Sequence, residues 1–369
     1  MKEIKLGVSK FTNINGVTCY MNSILAILQQ TPIFIDYIIG GHFKKDLLRN
    51  CNNDIENVRD SVFYNLYELF KASLENDNKN ITPSTFRSKI SLKDSTWGQH
   101  QHQDSQEFLN FLITQLENET KSNVMFLPGH IKLNEETHTV DENIESILSK
   151  IHWNSSLKKD YSPVKLLFTG QFKNIVECSI CNNKSNNYEL FQTLPVSIPI
   201  KNKGIDLIKK FTLKDCFDYS FKKEKLDKNN KINCDFCFIK NQSNKYNKIW
   251  KTPKILVIQI KRFLMNDYGI KSQKLINKIN FPINNLDILD YIDPNSPDTD
   301  KCKYNLIGVN NHISLGGYFS CNFGHYTSAV KNRYDNKWYL FDDSNLKQLE
   351  TEEELISNNA YLLFYYRNN

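Results

Sequence analysis

Apolar residues recur at helical spacing in two segments of the first half of the chain. The first segment begins at Cys19, after a turn that contains Gly16, and ends at Pro32. The second begins near Asp104 and ends near Leu116, and its apolar positions fall on one helical face. This spacing predicts two amphipathic helices, because residues three and four apart share a face. The first prediction places Cys19 at a helix N-terminus.

From Phe168 onward, short alternating or continuous apolar runs replace the helical spacing. Runs of this length between polar turns are typical of β-strands. The predicted strands cover residues 172–176, 194–200, 255–260, 306–309, 326–330, 338–341 and 361–366. A helical first half followed by a β-rich second half predicts an α+β fold, because a doubly wound α/β fold would alternate strands and helices along the chain.

Residues 117–161 are polar, rich in Asn and Glu, and only weakly periodic. We interpret this segment as a surface insertion with a short helix near residues 144–151. The polar stretches 222–231 and 293–303 are predicted to be loops between strands.

Composition excludes several classes of protein. The chain has 369 residues, of which 40% are hydrophobic and 24% charged, and this balance is that of a folded globular protein and not of a disordered one. Its longest aliphatic runs are about as long as residues 255–258, which is far shorter than the ~18 apolar residues of a membrane-spanning helix. The N-terminus lacks the apolar segment of a secretory signal. We therefore expect a cytoplasmic or nuclear protein without a membrane partner.

Two Cys-x-x-Cys pairs, Cys178 with Cys181 and Cys234 with Cys237, lie in the β-rich half. In a reducing compartment such pairs are more often metal ligands than disulfide partners. Together they supply the four thiolates of a zinc site. Such a site is structural and not catalytic, because four thiolates leave no position for a reacting water. The alternative is two pairs of ordinary buried cysteines.

A zinc ribbon that binds nucleic acid is a further alternative. The net charge of +6 comes from scattered lysines. Binding to a phosphate backbone uses clustered Lys and Arg. The sequence therefore gives this alternative little support.

Cys19 differs from the other cysteines in its setting, because a helix N-terminus favours the thiolate form. A thiolate nucleophile is paired with a histidine, and the histidine with an orienting acid. His325 opens a predicted strand, and the next strand ends at Asp342 and Asp343. Structural roles stay open at this point, since a lone histidine in a strand often serves packing and paired aspartates often form a turn.

These segments resemble the catalytic domain of the ubiquitin-specific proteases, which are papain-like cysteine deubiquitinases. The resemblance extends from about Gly7 to Arg367 and rests on motifs in the family's order. The motifs cover residues 15–23 around the cysteine, 103–109, 168–170, the two Cys-x-x-Cys pairs, 253–263, 304–309, 324–327, 338–343 and 360–365.

The resemblance implies a papain-like core with a helical thumb, an antiparallel β palm and zinc-clamped β fingers in one catalytic domain, 1–369. Residues 1–165 would form the thumb, including the insertion at 117–161. Residues 166–250 would form mainly the fingers with some palm strands, and residues 251–369 mainly the palm.

The resemblance also implies a reaction. Cys19 would attack the carbonyl of the C-terminal glycine of ubiquitin, and water would hydrolyse the acyl-enzyme. His325 would act as base and then acid, Asp342 would orient it, and Asp343 would be either the substitute for that acid or an auxiliary residue. The implied partners are ubiquitin and ubiquitinated proteins, and the implied cofactor is a structural Zn²⁺. We expect a monomer without a nucleic-acid partner.

Asp104 and Glu107 match family positions that contact the basic C-terminal tail of ubiquitin. Carboxylates beside a cleft suit an arginine-bearing peptide. The alternative is that both acids simply complement the dipole of a helix N-terminus. Gly316 and Gly317 match a loop that borders the cleft, with a plain hairpin turn as the alternative.

One position departs from the family pattern. The asparagine that donates to the oxyanion, five residues before the cysteine, is replaced by Ile14. Loss of one oxyanion donor typically lowers kcat by about 10²–10³-fold. Asn13 after a one-residue shift, Asn15, or backbone N–H groups are the candidate substitutes. The alternative function is a catalytically weak ubiquitin-binding module.

Overall fold

The computed structural model describes residues 8–123, 144–158, 160–200, 209–265, 271–314 and 324–368. Gly316, Gly317 and residues 124–143 of the expected insertion lie outside this part of the chain. No helix within the described residues is both long and apolar enough to cross a bilayer.

Helices occupy most of the N-terminal half, as the apolar spacing predicts. The α-helices of the described residues are α1 (Cys19–Leu28), α2 (Phe34–Ile39), α3 (Lys44–Asn50), α4 (Ile55–Asp60), α5 (Val62–Glu75), α6 (Ser84–Lys93), α7 (Ser105–Thr120), α8 (Ile144–Leu157), α9 (Pro163–Phe168) and α10 (Leu213–Ser220). Helix α7 continues past the predicted end at Leu116, and the hydroxyl of Thr120 donates to the Leu116 carbonyl at 2.8 Å.

Strands dominate the second half, so the α+β prediction is confirmed. The strands are β1 (Lys10–Phe11), β2 (Asn80–Ile81), β3 (Gly170–Glu177), β4 (Lys184–Phe191), β5 (Thr193–Ser197), β6 (Phe211–Thr212), β7 (Glu224–Lys225), β8 (Ile232–Asn233), β9 (Lys240–Asn241), β10 (Asn244–Lys251), β11 (Ile255–Lys261), β12 (Phe263–Met265), β13 (Lys271–Lys274), β14 (Ile279–Asn280), β15 (Leu286–Asp287), β16 (Lys303–Ser314), β17 (Gly324–Lys331), β18 (Trp338–Asp342), β19 (Asn345–Gln348) and β20 (Ala360–Arg367). Each run that was predicted to be a strand overlaps one of them.

The largest sheet has eight strands in the order β19-β18-β17-β16-β20-β11-β5, with β15 paired to β16. Its pairs are antiparallel except for β11 with β5. This sheet carries both His325, on β17, and Asp342, at the end of the neighbouring strand β18. We call it the palm sheet.

The centre of the palm sheet is covered on both faces, and this explains why the sequence of β11 is almost continuously apolar. Ile255 and Val257 join the core that contains helices α1 and α7. Leu256 and Ile258 alternate with them and join the core that contains α10. Successive side chains of a strand point to opposite faces, so a strand covered on both sides needs apolar residues at every position.

Helix α1 is packed inside the molecule, and all ten of its residues are buried. It lies against the palm sheet closely enough that a Cβ on Gly308 of β16 would be 2.8 Å from a methyl of Ile27. A glycine is therefore required where this helix crosses the strand. The close packing fixes Cys19, the first residue of α1, relative to the sheet that carries His325.

A second sheet has four strands in the order β4-β3-β10-β7. We call it the finger sheet. Strands β4 and β10 were not predicted, because their sequences are mostly polar and most of their residues are not buried. A strand that lacks a consistently buried face has no apolar alternation to reveal it.

Candidate active site and metal centre

Cys19 is the first residue of α1 and is 1% exposed. The turn before it is held by its own side chains. The Thr18 N–H donates to Asn13 Oδ1 at 2.8 Å, and the Ile14 N–H donates to Thr18 Oγ1 at 2.8 Å. As the first residue of a helix, Cys19 has a backbone N–H without an intrahelical acceptor. The thiol thus lies at the positive end of α1, directly after a turn that is held by hydrogen bonds.

His325 connects Cys19 to Asp342. Its Nε2 lies 2.6 Å from Asp342 Oδ1, which leaves Nδ1 as the nitrogen for Cys19. The pKa of His325 is raised to about 9, mainly by a hydrogen bond with Cys19 and to a smaller extent by one with Asp342. Burial acts in the opposite direction. The arrangement favours an imidazolium beside the thiol, which is the condition for a thiolate nucleophile at neutral pH.

Asp343 links the loop before Cys19, residues 13–18, which we call the cysteine loop, to the end of β18. Its Oδ2 accepts from Asn13 Nδ2 and its Oδ1 from Asn22 Nδ2, both at 2.8 Å. Burial raises the pKa of Asp343, while the two amides act in the opposite direction. One atom each of His325, Asp342 and Asp343 lies within 4.8 Å of the others. Asp343 therefore belongs to the site, but its carboxylate is directed to the two asparagines.

The candidate oxyanion donors have different surroundings. Asn13 lies in the network of Thr18 and Asp343, next to the start of α1. Asn15 is exposed, and its Nδ2 lies 3.0 Å from His100 Nδ1. Ile14, between them, supplies no donor side chain. The structure thus brings Asn13, and not Asn15, into the group of residues around Asp343.

Asp104 and Glu107 have separate environments at the start of α7. Asp104 is 8% exposed, caps the helix by accepting from the Gln106 N–H at 2.8 Å, and accepts the Tyr361 hydroxyl at 3.0 Å. Glu107 is exposed. Tyr361 in turn accepts from Gln259 Nε2 at 3.0 Å. Asp104 is therefore a buried anchor between helix and sheet, and Glu107 is the carboxylate of this pair that solvent reaches.

Glu117 is a site residue that the sequence patterns did not indicate. It lines a cleft of about 600 Å³ where α7 meets the finger sheet and the palm sheet. Burial raises the pKa of this carboxyl to about 7, although Lys165 and a 2.7 Å hydrogen bond from Gln192 oppose the shift. Glu117 shares its helix with Gln106 and Asn110, which line the same cleft. The polar residues on this face of the helix could have indicated a cleft, but the predicted helix ended near Leu116 and did not include Glu117.

The two Cys-x-x-Cys pairs meet at the end of the finger sheet. Cys178 follows β3 directly, and the second pair forms the turn between β8 and β9. Cys178 Sγ lies 3.8 Å from Cys237 Sγ, and Cys181 Sγ lies 3.6 Å from Cys234 Sγ. All four sulfurs lie within 4.8 Å of one another.

These distances fit a tetrahedral metal ion. Zn–S bonds of about 2.3 Å place the sulfurs of a tetrahedral site roughly 3.8 Å apart. A disulfide requires about 2.05 Å, and all eight cysteines of the described residues are free thiols. The four cysteines can therefore hold a metal ion.

Comparison with known proteins places these geometries in a family. A family model described as ubiquitin carboxyl-terminal hydrolase matches residues 10–365. The human protein named ubiquitin carboxyl-terminal hydrolase 2 is 31% identical over 97% of this chain and 55% of its own length. The chicken protein of that name is 32% identical over 97% of this chain and 93% of its own length. The chain thus spans about half the length of the human relative.

Solved structures with the same fold come from a yeast deubiquitinating module. The Ubp8 module with Sgf11, Sus1 and Sgf73, bound to ubiquitin aldehyde, matches with a TM-score of 0.72 and 25% identity over 100% of this chain and 71% of that chain. A second structure of the yeast module, with a substitution in Sgf73, matches with a TM-score of 0.70 and 26% identity over 100% of this chain and 70% of that chain. The fold predicted from the family resemblance is therefore confirmed.

Proposed function

The chain belongs to the ubiquitin carboxyl-terminal hydrolase family, and on that premise we propose that it is a deubiquitinating cysteine protease. It hydrolyses the peptide or isopeptide bond after the C-terminal glycine of ubiquitin. The observation that carries the proposal is the chain of contacts from Cys19 to His325 and from His325 Nε2 to Asp342 Oδ1 at 2.6 Å.

Catalysis begins with the Cys19 thiolate and the His325 imidazolium. Sγ attacks the carbonyl carbon, a C–S bond forms, and the π electrons of the carbonyl move to its oxygen. Collapse of this tetrahedral intermediate breaks the C–N bond, and the proton on His325 passes to the leaving lysine amine. His325 then removes a proton from water, which attacks the thioester and releases ubiquitin and the thiolate. Asp342 orients the imidazole throughout.

The backbone N–H of Cys19 and the side chain of Asn13 are the proposed donors to the oxyanion. The turn before α1 holds the first, and the hydrogen bond to Asp343 positions the second. Asn15 is the weaker candidate because it is exposed beside His100. Asp343 is an auxiliary residue that positions Asn13 and is not the acid that orients His325.

The basic C-terminal tail of ubiquitin would enter beside the start of α7. Glu107 and Glu117 are the carboxylates that we propose for contact with it, because one is exposed and the other lines the adjoining cleft. Asp104 contributes indirectly, since its carboxylate is occupied by Tyr361 and the Gln106 N–H. Its proposed role is to fix the end of the helix against β20.

Zn²⁺ is the metal ion that we propose for Cys178, Cys181, Cys234 and Cys237. The four-thiolate donor set and the sulfur distances fit this ion. When bound, it supplies folding free energy to the fingers and no reacting water. The proposal retains the division into a thumb, 1–165, a segment that is mainly fingers with some palm strands, 166–250, and a segment that is mainly palm, 251–369.

We also propose a monomer that acts in the cytosol or nucleus, without a nucleic-acid or membrane partner. The free thiols of the described residues suit a reducing compartment. Light scattering after gel filtration tests the monomer, since a stable dimer would double the mass.

The decisive experiment is steady-state hydrolysis of a fluorogenic ubiquitin C-terminal amide by the wild type and Cys19→Ala, with reductant and zinc present. Turnover by the wild type and none by the folded variant supports the protease. A matched control, Cys51→Ser, should retain turnover. Unchanged turnover in Cys19→Ala would overturn Cys19 as nucleophile.

Ile14 is the observation that favours the second candidate, a catalytically weak ubiquitin-binding module. The two functions separate when binding is measured beside turnover. A folded, zinc-loaded wild type that binds ubiquitin but hydrolyses the substrate only at background rate supports the binding module.

A further inference from the structure

Asn241 is a buried amide in contact with one of the four clustered cysteines. It is the last residue of β9, four positions after Cys237, and it is 6% exposed. Its Nδ2 lies 3.2 Å from Cys178 Sγ. Cys178 belongs to the other Cys-x-x-Cys turn, so the side chain of Asn241 reaches across the cluster. The backbone N–H of Ile180 also donates to this sulfur, at 3.4 Å.

The other contacts of Asn241 fix the direction of its amide. Its Oδ1 accepts from the Ser179 N–H at 3.3 Å, the Ser179 hydroxyl at 3.2 Å and the buried Ser243 hydroxyl at 2.8 Å. Its Nδ2 also donates to the Ile239 carbonyl at 2.9 Å. A flipped amide would set Nδ2 against the Ser179 N–H and Oδ1 against the Ile239 carbonyl. The N–H group is therefore the end that meets Cys178.

These contacts join the two turns that carry the ligands. Ser179 lies in the first turn, Ile239 lies two residues after Cys237 of the second, and the amide of Asn241 bridges them. A buried donor aimed at a sulfur is worth most when that sulfur is a thiolate, because hydrogen bonds to ionised acceptors are stronger. Ligand-orienting contacts of this kind typically change metal affinity by about 10–100-fold when they are removed.

We propose that Asn241 is a positioning residue of the metal centre, which donates to the Cys178 thiolate and holds the two cysteine turns in register before the metal binds. The inference rests on the metal part of the proposed function. Its consequence is tighter binding and slower release of Zn²⁺ than the four cysteines alone would give.

The test compares the zinc affinity of the 369-residue wild-type chain with that of Asn241→Ala and Asn241→Asp, by competition with a chromophoric chelator. Asn241→Asp keeps the size and the acceptor but replaces the donor with a carboxylate oxygen that repels a thiolate. We expect both variants to bind zinc about 10–100-fold more weakly than the wild type, with the aspartate variant weaker than the alanine variant. Asn233→Ala is the matched control, because Asn233 is an exposed asparagine on the paired strand β8. Its zinc affinity should stay within about twofold of the wild type.

Thermal melts separate positioning of the metal from ordinary packing. For a positioning residue, Asn241→Ala lowers the zinc-induced rise in melting temperature, whereas for a packing residue it lowers the melts with and without zinc equally. Equal losses, or unchanged affinity in both variants of a zinc-binding chain, would overturn the inference and leave the proposed function intact.

A wild type that binds no zinc would remove the metal part of the proposed function, and this inference with it. If Asn241→Ala does not fold, Ser243→Ala provides the second measurement. It removes one donor to Oδ1 and keeps Asn241 in place. We expect it to weaken zinc binding several-fold, and unchanged affinity would count against the proposal.

Discussion

The carboxylate of Asp343 accepts a hydrogen bond from Asn13 at 2.8 Å, although the two residues lie 330 positions apart in the chain. Asp343 has a left-handed backbone, with φ of 48°, directly after β18. A non-glycine residue in this region is strained and is retained where its surroundings hold it. The turn thereby directs Asp342 to His325 and Asp343 to the cysteine loop.

Replacing Asp343 with Ala should lower kcat more than it changes KM. The substitution leaves the amides of Asn13 and Asn22 without their carboxylate, and an unsatisfied buried donor such as that of Asn22 costs about 1–3 kcal/mol. The loop before Cys19 then loses its connection to the palm sheet. We expect kcat to fall by about 10–10³-fold, in the range of a lost oxyanion donor.

Steady-state kinetics with a ubiquitin C-terminal amide measure this effect, and Asp300→Asn, at an exposed acid, is the control. A kcat within threefold of the wild type for Asp343→Ala would contradict the proposed role.

Replacing Asn13 with Ala should also lower kcat by about 10²–10³-fold with little change in KM, because an oxyanion donor acts only on the transition state. Ile14→Asn should change kcat little, since Asn13 already occupies the network with Thr18 and Asp343. The same kinetic assay checks both variants. A large gain in Ile14→Asn, together with normal turnover in Asn13→Ala, would instead assign the missing donor to position 14.

Most strands of the palm sheet and the helix that begins at Cys19 were predictable from the sequence, because their signals are local. Helix α1 is buried along its whole length and β11 along most of its length, and both have continuous or periodic apolar residues. The cysteine pairs have a spacing typical of metal ligands. The finger strands β4 and β10 lack a consistently buried face, and nothing in their polar sequences distinguishes them from loops.

Long-range partners could not be predicted from local patterns. The sequence places Asp104 at a helix start and matches it to a tail-contacting position, but it gives no sign that Tyr361, 257 positions away, donates to it in the core. The pairing of Asn13 with Asp343 likewise depends on the close approach of α1 to the palm sheet. Local patterns can indicate such residues, but the tertiary packing decides which of them are in contact.

His325 should make catalysis depend on pH at the alkaline end. Its contacts with Cys19 and Asp342 raise its pKa from 6.5 to about 9. The stabilisation that its imidazolium gives the fold is therefore fully present below pH 6.5 and is lost as the pH rises through about 9. The same deprotonation removes the proton for the leaving amine. We expect kcat to fall above about pH 9.

Asp342→Asn tests the cause of this shift. Loss of the carboxylate lowers the pKa of His325, so the alkaline fall in kcat should move to lower pH, in addition to a lower kcat at every pH. The pH profile of kcat measures both effects. An unchanged alkaline limb in Asp342→Asn would exclude the 2.6 Å contact as a source of the shift.

Glu117 should make the KM for ubiquitin depend on pH near neutrality. Burial raises its pKa from 4.5 to about 7, so its carboxyl becomes charged only as the pH rises through that value. A charged carboxylate attracts the basic tail of ubiquitin. We expect KM to fall severalfold from about pH 6 to pH 8, and Glu117→Gln to lack this change.

The ionisation of Glu117 also affects the fold. A raised carboxyl pKa favours the folded state most below pH 4.5, and this contribution is lost as the pH rises through about 7. Glu189→Gln is the matched control, since Glu189 lines the same cleft. It should keep the pH dependence of KM. The same pH dependence in Glu117→Gln would show that another group controls binding.

Removal of the metal should weaken the binding of ubiquitin more than it slows the catalytic step. The four cysteines lie at the end of the finger sheet, whereas His325 and Asp342 belong to the palm sheet. Metal-binding free energy in such sites is folding free energy, so chelation or Cys234→Ser should unfold the fingers and lower the melting temperature. KM should then rise by at least tenfold while kcat falls severalfold at most. Cys51→Ser, which removes a thiol outside the cluster, should change neither value. An unchanged thermal melt after complete zinc removal would show that the four thiols do not depend on a metal for their structure.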